Sequence, residues 1–286
     1  MKIFSQSNIT KKMHLPGSCA YAALSILLED FGIDVTDVDI IRAISLPFMF
    51  KKFRTEHEVF FKAGTDLQGK EWFDLFLLPH GLEFVENTYS KESLIQSLNR
   101  LDLKHVKVMI GLRSEYGKHA HVLTGIDDTA GEYIFISPDG VLDSGYKYVI
   151  LGEQELLNSL DDSLVAGYIR KGSGAQIDYF KLFADAIADL EDFRITIADF
   201  LSRPFTKKEI EYAKITLFFP LLVSVFYVLE LTNYSDFRAS LLELSREFQR
   251  ISADNLGGFS HQFKESILSA IDQYFDIITM LKQKLD

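Results

Sequence analysis

The pattern of apolar residues changes at residues 170–176, where the chain reads RKGSGAQ. Before this stretch, short runs rich in β-branched and aromatic residues, such as VKVMIGL, AHVLTGI, YIFISP and YKYVIL, alternate with helical patterns. After it, long stretches with the period of amphipathic helices are separated by the loops SRPFT, TNYSD and DNLGG. Because single cores rarely grow beyond about 250–300 residues, this chain of 286 residues is expected to form two domains. The sequence predicts an α+β domain over residues 1–172 and an all-α helical bundle over residues 173–286.

Charge and cysteine content limit the function and the compartment. The formal net charge of -11 argues against nucleic acid as a partner, because phosphates are bound by a surplus of Lys and Arg. A single cysteine cannot form an intramolecular disulfide, so nothing requires an oxidising compartment. The N-terminus MKIFSQSNITKK lacks the apolar core of a signal peptide. The sequence therefore predicts a cytoplasmic protein.

One uncharged segment, ITLFFPLLVSVFYVL at residues 215–229, raises the question of a membrane. It is shorter than the roughly 18–20 residues that cross the hydrocarbon region, and Pro220 lies inside it. We expect a buried core helix here and no membrane partner.

The only cysteine, Cys19, lies in the stretch HLPGSCAYAALSILLEDFG. Pro16 and Gly17 predict a turn and Ser18 an N-cap, followed by apolar residues at helical spacing up to Gly32. Cys19 is thus expected in the first turn of a buried helix, where the helix dipole and the backbone N–H groups favour a thiolate. Two interpretations remain open, because a free cysteine among alanines is also an ordinary small buried residue.

A thiol nucleophile needs a base and a group that orients the base. The stretch GKHAHVLTGIDDTAGEYIFISPDG, residues 117–140, predicts two strands joined by the turn DDTAGE. A hairpin centred on this turn places His119 opposite Asp139 and His121 opposite Ser137, and a slip of two residues would pair His121 with Asp139. A His–Asp pair is therefore feasible.

A metal site is the alternative for the two histidines, since imidazoles two residues apart on a strand can bind zinc or iron beside an aspartate. No third strong ligand stands at a fixed spacing from them. The sequence therefore predicts neither a metal nor another cofactor.

The order of these features resembles the papain-like cysteine peptidases. Within them it is most similar to the double-glycine-leader peptidases and to the N-terminal domain of the butirosin-biosynthesis protein H family. The resemblance is carried by GSCAYAALSILLEDFGIDVTDVDIIRAI, by PFMFKKF, by HAHVLTGIDDTAGEYIFISPDG and by EQELLNSL, and it covers roughly residues 1–165. It implies a papain-like fold, in which a helix packs on an antiparallel sheet, followed by the helical region.

The same resemblance implies roles for individual residues. Cys19 would be the nucleophile, and His119 the base because it stands six residues before Gly125. Asp139 would orient the base, and Gln6 would donate to the oxyanion. Alternatives are His14 as a substitute oxyanion donor and His121, with Ser137 opposite it, in place of His119.

The implied reaction passes through an acyl-thioester, which water or an amine then releases. Resemblance to the butirosin group favours an acyltransferase of small-molecule biosynthesis that takes the acyl group from a carrier-protein thioester. A peptidase acting on a peptide substrate after Gly-Gly and an inactive papain-like binding module are the alternatives. For the helical region, dimerisation, docking of a carrier protein and closure over the active site all stay open.

Overall fold

The computed structural model describes residues 13–15, 17–56, 58–100, 106–114, 117–142, 145–203, 206–221, 223 and 261–283. Contacts along the chain divide it into two compact units, the first formed by Met1–Ile44 and Gln68–Ile177 and the second by Ser45–Leu67 and Asp178–Asp286. The sequence predicted one boundary near residue 172. In the structure, Ser45–Leu67 groups with the helices that follow the first unit.

The described helices, in chain order, are α1 (Cys19–Leu28), α2 (Asp37–Ala43), α3 (Lys70–Leu77), α4 (Lys91–Leu98), α5 (Glu153–Ser159), α6 (Tyr179–Ser202), α7 (Lys207–Ala213) and α8 (His261–Gln283). The described strands are β1 (Phe50–Arg54), β2 (Val59–Ala63), β3 (Leu82–Ser90), β4 (Val108–Ser114), β5 (Gly117–Asp127), β6 (Glu132–Leu142), β7 (Gly145–Gly152) and β8 (Ser163–Lys171). The mixed α/β character predicted for the first part of the chain is confirmed.

The first unit contains an antiparallel six-stranded sheet in the order β3-β8-β4-β5-β6-β7. One face carries an apolar core shared with α4 and α5. On the other face, Phe84 covers Gly167, where a Cβ atom would lie 2.3 Å from the ring. Phe73 meets Phe84 at 4.9 Å between ring centroids, and Tyr21 of α1 meets Phe73 at 5.4 Å. The sheet therefore separates the side of α1 and α3 from the side of α4 and α5.

Strands β5 and β6 form the predicted hairpin. Val122 pairs with Ile136 and Leu123 with Phe135, which is the predicted register at this end of the ladder. Beyond Leu123 a β-bulge shifts the register by one residue, so that Gly125 pairs with Ile134. The alternation of apolar residues specified the pairing, but it carried no signal for the bulge.

The second unit is built around α6, which confirms the helix expected there. The β1–β2 hairpin packs on α6 through Phe50 and Phe61, whose ring centroids lie 4.8 and 5.0 Å from that of Phe193. Arg194 of α6 donates to Asp272 of α8 at 2.5 Å. The complete helical bundle stays a prediction, because residues 224–260 lie outside the described part of the chain.

The uncharged segment at residues 215–229 is described only in part. Lys214–Phe218 forms a π-helical turn, and the residues from 224 onward lie outside the described part. Within the described residues, every helix is too short or too polar to cross a membrane.

Candidate active site

Cys19 is the first residue of α1, as the sequence predicted. Gly17 precedes it with a φ of 78°, a left-handed conformation that favours glycine and turns the chain into the helix. All residues of α1 are buried, and Cys19 itself is 9% exposed. Burial along the whole helix holds the thiol at a defined place at its N-terminus.

Ser18 occupies the N-cap position, but its side chain makes no capping hydrogen bond. Its hydroxyl instead lies 2.5 Å from Oδ2 of Asp37 and 2.8 Å from the carbonyl oxygen of Leu15. Ser18 is therefore at the predicted N-cap position, but its hydroxyl contacts Asp37 of α2.

The Asp37 carboxylate accepts hydrogen bonds from four donors in the segment that precedes Cys19. Its Oδ2 accepts from the backbone N–H of His14 at 2.9 Å, from that of Leu15 at 3.4 Å and from the Ser18 hydroxyl. Its Oδ1 lies 2.6 Å from Nδ1 of His14. Because a carboxylate is an acceptor, Nδ1 of His14 carries the proton. Asp37 is fully buried, and the His14 side chain is 34% exposed.

A capping box at the start of α2 is formed without Asp37, whose carboxylate contacts the segment before α1. Thr36 is the N-cap, and its hydroxyl accepts from the backbone N–H of Asp39 at 3.2 Å. The Asp39 carboxylate in turn accepts from the backbone N–H of Thr36 at 2.9 Å, which completes a capping box. With Asp39 engaged in the cap, Asp37 at the first helical position is available to the segment before α1.

His119 and His121 both lie in β5, where they pair with Leu112 and Ile110 of β4. Directly paired residues point to the same face, and Leu112 and Ile110 belong to the core shared with α4 and α5. His121 donates from Nδ1 to the carbonyl oxygen of His119 at 3.0 Å, and its ring centroid lies 6.5 Å from that of Phe135. His119 and His121 therefore share the face of β5 that carries Ile110 and Leu112 of β4.

The ladder between β5 and β6 ends, among the described residues, at Val122 and Ile136. Ser137 is buried beyond that point. The backbone of Asp139 belongs to β6, while its side chain lies outside the described residues. The N–H of Met13 donates to the carbonyl oxygen of Pro138 at 2.8 Å. The segment that leads to Cys19 thus binds β6 at Pro138.

The predicted site residues fall into two groups. His14 lies in the segment before Cys19, whereas His119 and His121 lie in the first half of β5. Gln6 lies outside the described residues. The pairing of Cys19 with His119 stays a prediction. Within the described part of the chain, no cluster of three His, Cys, Asp or Glu side chains is arranged to hold a metal ion.

The start of β5 also carries an exposed charge cluster. Lys118 donates from Nζ to Asp161 at 2.8 Å, and Arg113 of β4 contacts the same carboxylate. The hydrogen bond from Lys118 is the main cause that lowers the pKa of Asp161, and Arg113 adds to it. This cluster anchors β4 and β5 to the segment before β8.

Asp37 is the residue that sequence reasoning missed. The only local signal was an acidic first turn in the second helix, which is ordinary at a helix N-terminus. Its contact with His14 spans 23 residues and depends on how α1 and α2 pack.

The matches to known proteins come from solved structures. No family model matches the chain, and no curated protein matches it. Among solved structures, the chain is similar to the peptidase domain of Streptococcus ComA, a bi-functional ABC transporter involved in a quorum sensing pathway. The identity is 9%, the match covers 57% of this chain and 98% of that one, and the TM-score is 0.38. It is also similar to a C39-like peptidase from Bacillus anthracis, with 16% identity, 60% and 96% coverage and a TM-score of 0.34.

Proposed function

We propose that this chain is a papain-like cysteine acyltransferase that carries an acyl group on Cys19 and passes it to an amine in small-molecule biosynthesis. The observation that supports the proposal is the position of Cys19 as the first residue of a fully buried helix. A thiol there lies at the positive end of the helix dipole, which favours the thiolate. The first turn of a helix also has backbone N–H groups that lack intrahelical partners and can stabilise an oxyanion.

In the proposed reaction, an imidazole takes the proton of the Cys19 thiol, and the thiolate attacks the carbonyl carbon of the acyl donor. The bond between the carbonyl and the leaving group breaks, and the leaving group takes the proton from the imidazole. An amine then attacks the thioester and gives its proton to the imidazole, the C–S bond breaks, and the thiolate takes this proton to restore the thiol. The sequence assigns the imidazole to His119 and its orienting acid to Asp139, with Gln6 or His14 as the oxyanion donor.

The first test is the pH dependence of alkylation of Cys19 by iodoacetamide in the native protein. An inflection well below the ordinary thiol value of about 8.5 is expected, because the reagent reacts with the thiolate. Cys19→Ala should abolish labelling, since the chain has no other cysteine. Slow labelling without a low inflection would refute the nucleophile and favour a papain-like binding module.

The second test decides between transfer and hydrolysis. We would incubate the protein with the acetyl thioester of N-acetylcysteamine, with and without a primary amine, and detect acyl-Cys19 and amide by mass spectrometry. An acyltransferase should form the amide faster than free acetate. Hydrolysis alone, together with cleavage of a peptide that contains Gly-Gly, would instead establish a peptidase.

A further inference from the structure

The six-stranded sheet of the first unit ends in two edge strands, β3 and β7. Within the described part of the chain, β7 pairs with β6 alone, in a regular antiparallel ladder over residues 147–152. A strand at the edge of a sheet presents every second N–H and C=O group away from its neighbour, and these groups can pair with another strand. At β7 a further strand can therefore join the sheet.

One face of β7 is both apolar and exposed. Val149 and Leu151 pack against the core shared with α4 and α5. Tyr148 and Ile150 alternate with them along the strand, so they lie on the other face of the sheet. There they are 46% and 54% exposed. Tyr148 and Ile150 thus form an apolar strip along the edge of the sheet.

The opposite edge of the sheet differs in charge. Glu83 of β3 accepts from Arg170 of β8 at 2.5 Å, and Glu86 of β3 accepts from the backbone N–H of Lys70 at 2.8 Å. Charged side chains on an edge strand discourage pairing with another chain. In β7, which reads GYKYVILG, Lys147 is the only charged residue. The edge at β7 is therefore the one whose composition permits pairing.

We infer that β7 is the contact strand of a homodimer, in which two copies of the chain join their sheets through antiparallel β7 strands. The strand is complementary to itself when a two-fold axis passes at Val149. Tyr148 of each copy then lies directly opposite Ile150 of the other, and the two apolar strips form one surface. Lys147 lies opposite Leu151, which is also apolar. The inference is independent of the chemistry at Cys19.

The position of the single cation favours this register over its neighbours. An axis at Lys147 would place the two lysines directly opposite each other, which is destabilising. An axis at Tyr148 would bring them to diagonal positions, about 7–8 Å apart. An axis at Ile150 would place Tyr148 opposite Gly152, which has no side chain to contact. The axis at Val149 separates the lysines and pairs each residue of the strip with an apolar partner.

The size and charge of the contact set its strength. A stable specific interface buries about 800 Å² on each partner, which is more than one pair of strands covers. Each copy also has a formal net charge of -11, so two copies repel each other at low salt. The dimer is therefore expected to exchange with the monomer, and added salt should strengthen it by screening this repulsion.

The test is sedimentation velocity of the full-length chain over a range of protein concentrations. We expect a reversible monomer–dimer equilibrium whose dissociation constant falls when salt is added. Ile150→Lys places a charge in the apolar strip and should raise the dissociation constant by about 10-fold or more. Because Ile150 is 54% exposed, the substitution should leave the fold intact, which circular dichroism would check.

Val165→Lys is the matched control. Val165 is 45% exposed and lies in β8, an inner strand of the same sheet. It alternates with Leu164 and Ala166 of the core, so it points to the same face as the apolar strip. The control introduces the same charge on that face but away from the edge. It should leave the dissociation constant unchanged.

Crosslinking tests the register. In a Cys19→Ala background, which has no other thiol, chains with Tyr148→Cys are mixed with chains with Ile150→Cys and mildly oxidised. The mixture should form a disulfide readily, because directly opposite residues have Cβ atoms about 4.5–5.5 Å apart. Each variant alone should crosslink less, since its two cysteines would be diagonal at about 7–8 Å.

The outcomes decide the inference without reference to the proposed function. A monomer at every concentration and salt level overturns it. A dimer that Ile150→Lys leaves unchanged also overturns it and assigns dimerisation to another surface, such as the helical region. If Ile150→Lys does not fold, the cysteine pairs decide, and equal crosslinking in the mixture and in the single variants contradicts the register. None of these results depends on whether Cys19 is a nucleophile.

Discussion

His14 and His119 are both candidate site residues of the first unit, and they are held in different ways. His14 is bound through its ring to a carboxylate that is fully buried and that also accepts from the neighbouring backbone. His119 is placed by the ladder of β5 with β4, where it pairs with Leu112. A tertiary hydrogen bond orients the first ring, and strand register positions the residue that carries the second.

This difference matters because the two kinds of support fail differently. A shift of one residue in the register of β5 would move His119 and His121 to the other face of the sheet. The same shift would leave the segment before Cys19 unchanged. Removing Asp37 would release the segment before α1 and leave β5 in register. Unfolding of the first unit can be followed through the fluorescence of Trp72, the only tryptophan, which is buried in α3.

The largest effect is expected for Asp37→Ala. Removing the carboxylate leaves the backbone N–H groups of His14 and Leu15 without this acceptor, and the buried Ser18 hydroxyl keeps only the carbonyl oxygen of Leu15. Breaking such a network should lower the free energy of unfolding by about 3–5 kcal/mol. Asp39, two residues after Asp37, is the capping-box partner of Thr36, and Asp39→Ala should cost about 1 kcal/mol in the same urea titration. Equal costs would contradict a central role for Asp37.

Ser18→Ala should have the next largest effect. The hydroxyl is fully buried and lies 2.5 Å from the Asp37 carboxylate, which keeps its other donors. Loss of one hydrogen bond to a charged group should cost about 2 kcal/mol. Ser25→Ala is a matched control in α1, because that buried hydroxyl donates only to the carbonyl oxygen of Ala22 and should cost about 1 kcal/mol. If Ser18→Ala lowered the free energy of unfolding less than Ser25→Ala does, the contact of the Ser18 hydroxyl with Asp37 would contribute little to stability.

Much of the β5–β6 region could be predicted from sequence because its signals are local. The alternation in AHVLTGI and YIFISP gave the strands, and the turn between them gave the register at Val122 and Ile136. The bulge beyond Leu123 had no local signature, since no residue there demands an irregular backbone. The helix start at Cys19 was also local, because it follows a turn with Gly17.

Other contacts could not be predicted because they join distant segments. The Asp37–His14 contact depends on the packing of two helices, and pattern reasoning follows one element at a time. The same holds for the β1–β2 hairpin, whose Lys52 N–H donates to Asp189 of α6 across 137 residues. Propensity explains why Phe50–Arg54 can be a strand, but only tertiary packing decides which unit it joins.

The comparison of the two imidazoles predicts a smaller difference in stability. His14→Ala should lower the free energy of unfolding by about 1.5 kcal/mol, because it removes a hydrogen bond to the buried Asp37 carboxylate. His119→Ala, on a partly exposed position of β5, should cost about 1 kcal/mol or less. The decisive measurement is a double-mutant cycle. His14→Ala and Asp37→Ala should be strongly non-additive, and His119→Ala should add to Asp37→Ala within about 0.5 kcal/mol. Additivity of His14 with Asp37 would show that the contact contributes little.

The smallest effect concerns Asp161, the partly exposed carboxylate beside β5. The pKa of Asp161 is lowered from its ordinary value, chiefly by the hydrogen bond from Lys118, so its contribution to stability is present above the unfolded pKa. It is lost as the pH falls from about 4 through the lower folded pKa. Asp161→Asn should therefore flatten this part of the acid-unfolding profile, and about 1 M salt should do the same by screening exposed charges. The stability difference caused by Asp37→Asn at neutral pH should resist salt, because that carboxylate is buried. If salt changed the stability effects of Asp37→Asn and Asp161→Asn equally, the contrast between the buried contacts of Asp37 and the more exposed contacts of Asp161 would be wrong.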